Sequence, residues 1–348
     1  MTTEDGMTGI GGSRPMQTRR IGTLTVSAVG LGCMNLSHAY GPRPEPAQAA
    51  QVLRAALDAG VTLFDTAMLY GAGANERLVG QTLGSERSRF VLASKGGMGV
   101  VDGRRTIDGR PETIRANCEE SLARLGTDVI DLYYLHRLDH KVPIEDSVGA
   151  MADLVRAGKV REIGLSEVSA ITLRRAHAVH PVAAVQSEYS LWSRNVEIAV
   201  LDACRETGTT LVAFSPLARG FLTGRLRDLA TLPEHDIRLA MPRFQTAHWT
   251  ANLRLLDAWQ ALAEEAGCTM GQLALAWLLR RDEAIVPIPG TTSIAHLHEN
   301  LAAIAISSGI DAGVLARADA AIGQHNVSGP RYAPDRQLDI DTEEFASA

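Results

Sequence analysis

Cysteine is scarce in this sequence, and what there is does not pair. Cys33, Cys118, Cys204 and Cys268 are four in 348 residues and form no C-x-x-C, which removes zinc-type spacing, a redox dithiol and a disulfide-stapled miniprotein. They read as reduced core thiols. No stretch approaches the roughly twenty uninterrupted apolar residues of a membrane span. Positive charge is also short: 34 Lys and Arg against 40 Asp and Glu give a net charge of −6, a poor match for nucleic acid or anionic membrane. Walker, G-x-S-x-G, S-x-x-K and H-E-x-x-H motifs are missing, so the common phosphotransferase, hydrolase and zinc-protease routes drop out. His177 and His180, and His136 and His140, have metal-compatible spacing but no accompanying Glu or Cys, and are read as metal-free. What remains is a chain 45% apolar and 21% charged, able to bury a large core and to take a small neutral or anionic ligand. Met1–Met16 is rich in Gly, Thr and Ser without the apolar run of a signal peptide, so a disordered lead-in over 1–15 and a cytoplasmic protein are expected.

Eight short β-rich runs punctuate the rest: Val26–Cys33, Thr62–Asp65, Phe90–Lys95, Val129–His136, Arg161–Ser166, Ala183–Gln186, Thr210–Ser215 and Ala284–Pro289. Between them lie segments with helical spacing, such as Ala49, Val52, Leu53, Ala56 and Leu57, and then Ile114, Cys118, Leu122 and Leu125. Gly60, Gly126, Gly158 and Gly208 follow such segments where a helix C-terminus is expected. Strand, helix, glycine, strand in repetition means parallel pairing through right-handed crossovers. Eight units close into a (β/α)₈ TIM barrel, with an open doubly wound sheet as the alternative. A barrel needs about 250 residues. The surplus is assigned to an N-terminal hairpin (16–25), a loop after strand seven (218–249), an extra helix pair within 253–281 carrying Trp259 and Trp277, and a C-terminal tail. One domain over 16–322 and a tail over 323–348 are expected.

Barrel enzymes build their sites at the C-terminal ends of strands, and here those ends read Asp65, Lys95, His136, Ser166, Gln186 and Ser215. Asp, Lys and His are seldom buried without partners, so apolar runs that end in them bring them together at one rim. Tyr70 lies five residues beyond Asp65. A phenol has an ordinary pKa near 10 and needs a neighbouring cation to work near neutrality; Lys95, paired with Asp65, is expected to lower it. His136 adds a group able to hydrogen-bond a substrate oxygen. The chemistry is therefore carbonyl-centred: an oxygen is protonated while a hydride reaches carbon, and a nicotinamide must bring the hydride.

These residues sit in longer runs. Thr-Leu-Phe-Asp65-Thr-Ala-x-x-Tyr70-Gly with Asn75-Glu76, Leu-Ala-Ser-Lys95, Asp131-Leu-Tyr-Tyr-Leu-His136, Ile-Gly-Leu-Ser166, Val-Gln186-Ser-Glu-Tyr and Ile-Pro-Gly-Thr-Thr-Ser are collinear from about Gly22 to about Ala303. Together they resemble the aldo-keto reductase family. The resemblance implies Tyr70 as proton donor, Lys95 and Asp65 as its tuning pair, His136 orienting the carbonyl, and NADPH across the barrel mouth. It also implies Ser166 and Gln186 on the carboxamide, Phe214 stacked on the nicotinamide, and Ser215, Leu217 and Gly220 around the pyrophosphate. Glu299 and Asn300 match positions that contact adenine. Three departures stand out, one being Phe214 where Tyr is the commoner stacking residue. Glu167 replaces a common Asn, and the segment after strand eight, Gly290-Thr291-Thr292 through His296, lacks the Lys or Arg usual for a 2′-phosphate, which leaves NADH open.

Substrate contacts are expected from Met34, Asn35, Met98, Trp192 and the C-terminal tail, an apolar wall suited to an aromatic or alicyclic carbonyl compound or alcohol. No nucleic acid or membrane partner is expected. Two other readings stay open: a cofactor-sensing subunit with little turnover, and a (β/α)₈ lyase using Lys95 as a Schiff-base nucleophile.

Overall fold

A computed structural model describes residues 16–37 and 39–346; the lead-in expected over 1–15 lies outside the described residues. A hairpin of β1 (Thr18–Ile21) and β2 (Leu24–Ser27) comes first, followed by β3 (Leu31–Gly32), β4 (Leu63–Asp65) and β5 (Val91–Gly96). A second hairpin, β6 (Met98–Val101) and β7 (Arg104–Ile107), precedes β8 (Ile130–Leu135), β9 (Val160–Ser166), β10 (Ala184–Glu188), β11 (Thr210–Phe214) and β12 (Ile285–Pro287). Apart from the two hairpins, the strands form one parallel eight-stranded sheet in chain order. The ring closes where the Gly30 N–H donates to Pro287 O at 3.0 Å and the Gly32 N–H to Pro289 O at 3.3 Å. This is the expected (β/α)₈ barrel.

Three boundaries differ from the sequence reading. The run Val26–Cys33 is not one strand: it leaves the hairpin after Ser27, whose N–H is caught by Thr62 Oγ1 at 2.7 Å, and enters the barrel at Leu31. Helix Met270–Arg281 is not an extra element but the crossover between β11 and β12, buried nearly all round from Gly271 to Leu279, so its amphipathic stripe does not reveal which neighbours it has. The added helices are instead Thr246–Leu253, Leu255–Glu265 and Ala312–Ala321. No single described helix is long and apolar enough to cross a membrane.

Side chains alternate across a strand, and two layers follow from that. Phe64, Leu92, Tyr133, Leu165, Val185 and Leu211 face the helices in the outer core. Leu63, Ala93, Tyr134, Ala184 and Val212 fill the barrel interior, which Ile21, Leu24 and Val26 of the hairpin plug from the N-terminal end. Tyr134 fits because its neighbour is Gly164, where a Cβ would meet the ring at 2.4 Å. Two residues further along each strand, the same inward parity belongs to Asp65, Lys95, His136, Ser166, Gln186 and Phe214.

Candidate active site

Lys95 is fully buried at the end of β5. Its ammonium pairs with Asp65 and donates to Thr66 O at 2.9 Å and to the Tyr70 hydroxyl oxygen at 3.4 Å. Gln186 Nε2 donates to the second Asp65 oxygen at 2.8 Å, so both carboxylate oxygens are engaged. That satisfaction is what makes a dry ion pair tenable. Burial alone would lower the Lys95 pKa, but Asp65 and Tyr70 outweigh it and hold the group charged. Tyr70 differs from the sequence expectation: burial pushes its phenol above the ordinary value, and Lys95 offsets only part of that. The tyrosine rests protonated, its proton in place.

His136 stands edge-on to Tyr70, ring centroids 6.0 Å apart. Burial first, then the charges of Arg137, Lys95 and Arg105, drive its pKa well below the usual histidine range, so the imidazole is neutral. Its Nδ1 has no hydrogen-bond partner among the described residues.

The loop that carries Tyr70 is fixed from beneath. Asn75 is fully buried, accepts from Thr66 Oγ1 at 2.6 Å and donates to Cys33 O at 2.8 Å and Ser37 Oγ at 2.9 Å. Glu76, equally buried, accepts from Ser94 Oγ at 2.6 Å and Arg124 Nε at 2.5 Å. The bonds to Cys33 and Ser37, to Ser94 and to Arg124 reach three other segments, and the Thr66 bond spans the turn itself, so the turn between β4 and the next helix has little freedom.

A cleft of about 850 Å³ opens over these residues, within the size range of a cofactor-binding pocket. Asp65, Tyr70 and His136 line it, with Lys95 beneath. So do Ser166, Gln186 and Phe214, the loop residues Ser215, Leu217 and Gly220, and, after β12, Gly290, Thr291, Thr292, His296, Glu299 and Asn300. Ser215, Ala218 and Arg219 all have positive φ, at 48°, 50° and 57°, a strain that clusters at ligand clamps.

Of the four expected substrate residues, Met34 and Asn35 line the cleft and the other two do not. Met98 is buried at the base of its hairpin, its sulfur 3.7 Å from Arg105 Nη2, and Val100, two residues on, reaches the cleft instead. Trp192 is stacked on Phe244 at 6.0 Å with planes 10° apart, inside an aromatic group with Phe221. Its flat packing face is taken by other rings, so it belongs to the core.

The sequence reading expects the C-terminal tail at the substrate without naming its residues, and it misses the arginines of the wall. Tyr332, Ala333, Arg336, Asp339 and Ile340 of the tail line the cleft, as do Arg105, Arg137, Arg219, Arg225 and Arg238. Arg137 follows His136 directly and Arg219 sits between Leu217 and Gly220, so adjacency to assigned residues was a usable signal; within the tail nothing singled out individual residues. Glu167 turns from the cleft to Arg331 at 2.7 Å and accepts the Glu188 N–H at 2.8 Å. Arg331 also lies 3.5 Å from Glu188, which Arg219 contacts at 2.9 Å while reaching Tyr40 and Tyr332 hydroxyls at 3.1 and 3.2 Å. Burial would raise the Glu188 carboxyl, but Arg219, Arg331 and Arg243 hold it at about 2.

Comparison with known proteins agrees with this geometry. The model of the aldo/keto reductase family matches residues 28–322. A probable aldo-keto reductase 1 from Glycine max is 44% identical over 297 residues, covering 84% of this chain and 85% of the relative. Among solved structures, the glycerol dehydrogenase AKR11B4 from Gluconobacter oxydans superposes with a TM-score of 0.79 at 28% identity, covering 94% of this chain and 99% of that one. Aldo-keto reductase AKR11C1 from Bacillus halodurans, in its holo form, gives 0.73 at 26%, covering 92% and 99%. The thermostable aldo-keto reductase Tm1743, in complex with the inhibitor epalrestat, gives 0.69 at 27%, covering 88% and 100%.

Proposed function

This chain belongs to the aldo/keto reductase family, and from that premise we propose that it is an NADPH-dependent reductase of aldehydes or ketones, running reversibly on alcohols, with Tyr70 as the proton donor. One observation carries the reading: a buried Asp65–Lys95 pair touching a protonated tyrosine beside a neutral histidine at the base of a cofactor-sized cleft.

A dinucleotide fits the residues present. Ser166, Gln186 and Phe214 would hold the nicotinamide, Ser215, Leu217 and Gly220 the pyrophosphate, and Thr291, Glu299 and Asn300 the adenosine. Gly290 crowds Asn35 Oδ1 and Gly32 O so closely that a Cβ would meet them at 2.5 and 2.9 Å, which keeps bare backbone at the edge of the cleft. Thr292 and His296 would donate to a 2′-phosphate, and Arg225, paired with Glu299 at 2.7 Å, would supply the cation that the segment after β12 lacks by exchanging that carboxylate for the phosphate, which would favour NADPH over NADH. When bound, the reduced nicotinamide supplies the hydride.

The remaining steps belong to the protein. Tyr70 gives its proton to the substrate oxygen as negative charge develops there, and Lys95, kept charged by Asp65, stabilises the phenolate left behind. The neutral His136 hydrogen-bonds the same oxygen and orients it. Gln186, by donating to Asp65, keeps the carboxylate aimed at Lys95.

Initial rates with 4-nitrobenzaldehyde, following nucleotide absorbance with NADPH and separately NADH, test the reading. Carbonyl-dependent consumption is expected with a preference for NADPH, and Tyr70→Phe should lower kcat by about 10²- to 10⁴-fold while nucleotide still quenches tryptophan fluorescence. Wild-type turnover in that variant would overturn the assignment of Tyr70.

A further inference from the structure

Six arginines line the cleft. Three are neutralised where they stand: Arg219 by Glu188 at 2.9 Å, Arg225 by Glu299 at 2.7 Å and Arg238 by Asp236 at 2.7 Å. The other three come from separate segments: Arg105 from β7 and Arg137 from the turn after β8, both bearing on His136, and Arg336 from the short helix Pro334–Gln337. Asp339 is shared between two of them, its Oδ2 at 3.9 Å from Arg105 and 3.7 Å from Arg336. Asp335, largely exposed, lies 3.5 Å from Arg336. Arg137 has no carboxylate partner among the described residues; it donates to His136 O at 2.7 Å and Ser166 Oγ at 3.1 Å, and its Nε is buried with no acceptor.

This is a local excess of positive charge in a chain of net charge −6. The three guanidiniums repel one another: burial, then Arg336 and Arg137, lower the Arg105 pKa against the pull of Asp339 and Tyr332. Other acidic residues in the cleft are committed, Asp65 to Lys95 and Glu299 to Arg225. Planar guanidiniums with spare donors match a carboxylate or phosphate, and an anion between them relieves the repulsion. We propose that the carbonyl compounds this site is built for carry an anionic oxygen group, held by Arg105, Arg137 and Arg336. The inference rests on the reductase reading and narrows its substrate class.

Matched pairs test it: 4-carboxybenzaldehyde against methyl 4-formylbenzoate, and glyceraldehyde 3-phosphate against glyceraldehyde, with the preferred nucleotide. In at least one pair the ionised member should win by about tenfold or more in kcat/KM, mainly through KM, the scale of a hydrogen bond to a charged group. Which pair responds identifies carboxylate or phosphate. Arg105→Gln and Arg336→Gln should each reduce that ratio, whereas Asp339→Asn should increase it, a reversal of sign that loss of folding does not produce. Turnover of the neutral aldehydes without preference for the ionised ones overturns the proposal and spares the reductase reading, as does a preference that none of the three substitutions moves. No turnover of any member of either pair removes both.

Discussion

The base of the cleft and its wall are built by different means. At the base, Asp65, Lys95, His136 and Gln186 lie at or near the C-terminal ends of barrel strands, and strand parity turns them inward. In the wall, Arg331 reaches back 164 residues to Glu167 and 143 to Glu188, and Arg219 spans 179 residues to Tyr40. The base is thus fixed by a repeated secondary-structure element, while the wall depends on particular charge pairs between distant loops. Chemistry should be sensitive to the first and stability of the tail to the second.

Tyr70→Phe, expected to cost two to four orders of magnitude in kcat, probes the base without touching the wall. The complementary change is Arg331→Ala. It strips Glu167 of its cation in a site where Arg331 and Glu167 side chains are only 1% and 0% exposed, and breaking one side of such a pair costs about 3–5 kcal/mol. Urea unfolding should show that loss, with faster proteolysis in the segment after Ser328. The double variant Arg331→Met with Glu167→Gln should recover part of it, since no buried charge is then left alone. Equal instability in single and double variants would mean that packing of the tail, not the ion pair, secures it.

How much of this was legible follows from the same contrast. The strand ends could be read because an apolar run ending in Asp, Lys or His is unusual, and because the spacing of Tyr70, Asn75 and Glu76 after Asp65 is local. The cleft-lining segments after β11 and β12 were legible only through the family resemblance of their motifs. Glu167, Arg331 and Tyr332 were not: a charged residue in a loop carries no mark of a partner more than a hundred residues away. Trp192 was misplaced because a large aromatic after a barrel strand suits a substrate wall and a ring stack equally well, and only the positions of Phe221, Phe244 and Trp249 decide. The phenol of Tyr70 was misjudged in sign, since a sequence shows the nearby cation and conceals the burial that outweighs it.

The wall should also show itself in acid. Glu188 titrates at about 2 in the folded protein against an ordinary 4.5. A depressed carboxyl adds stability that is complete above the unfolded value and is lost as pH falls from about 4.5 towards 2, on the order of 3 kcal/mol at one pKa unit per 1.36 kcal/mol. Unfolding midpoints across that window should slope less steeply in Glu188→Gln than in the wild type. His136 acts in a higher window: its lowered pKa means that the unfolded chain takes up a proton first, so stability falls as pH drops below about 6.5. A slope confined to the upper window would place the acid sensitivity at the base of the cleft and remove it from the wall.

The smallest effect is the one that separates residues at the cleft from residues behind it. Met98 is buried, and Leu has nearly its volume, so Met98→Leu should cost less than about 1.5 kcal/mol and leave kcat/KM for every aldehyde near the wild-type value. Trp192→Phe keeps a ring against Phe244 and should likewise change unfolding more than catalysis. Val100→Ala, by contrast, alters a side chain that lines the cleft and is 52% exposed, so its effect should fall on KM with little on stability. If Met98→Leu shifts KM more than Val100→Ala does, the second hairpin moves over the substrate in solution and brings its buried face to the cleft.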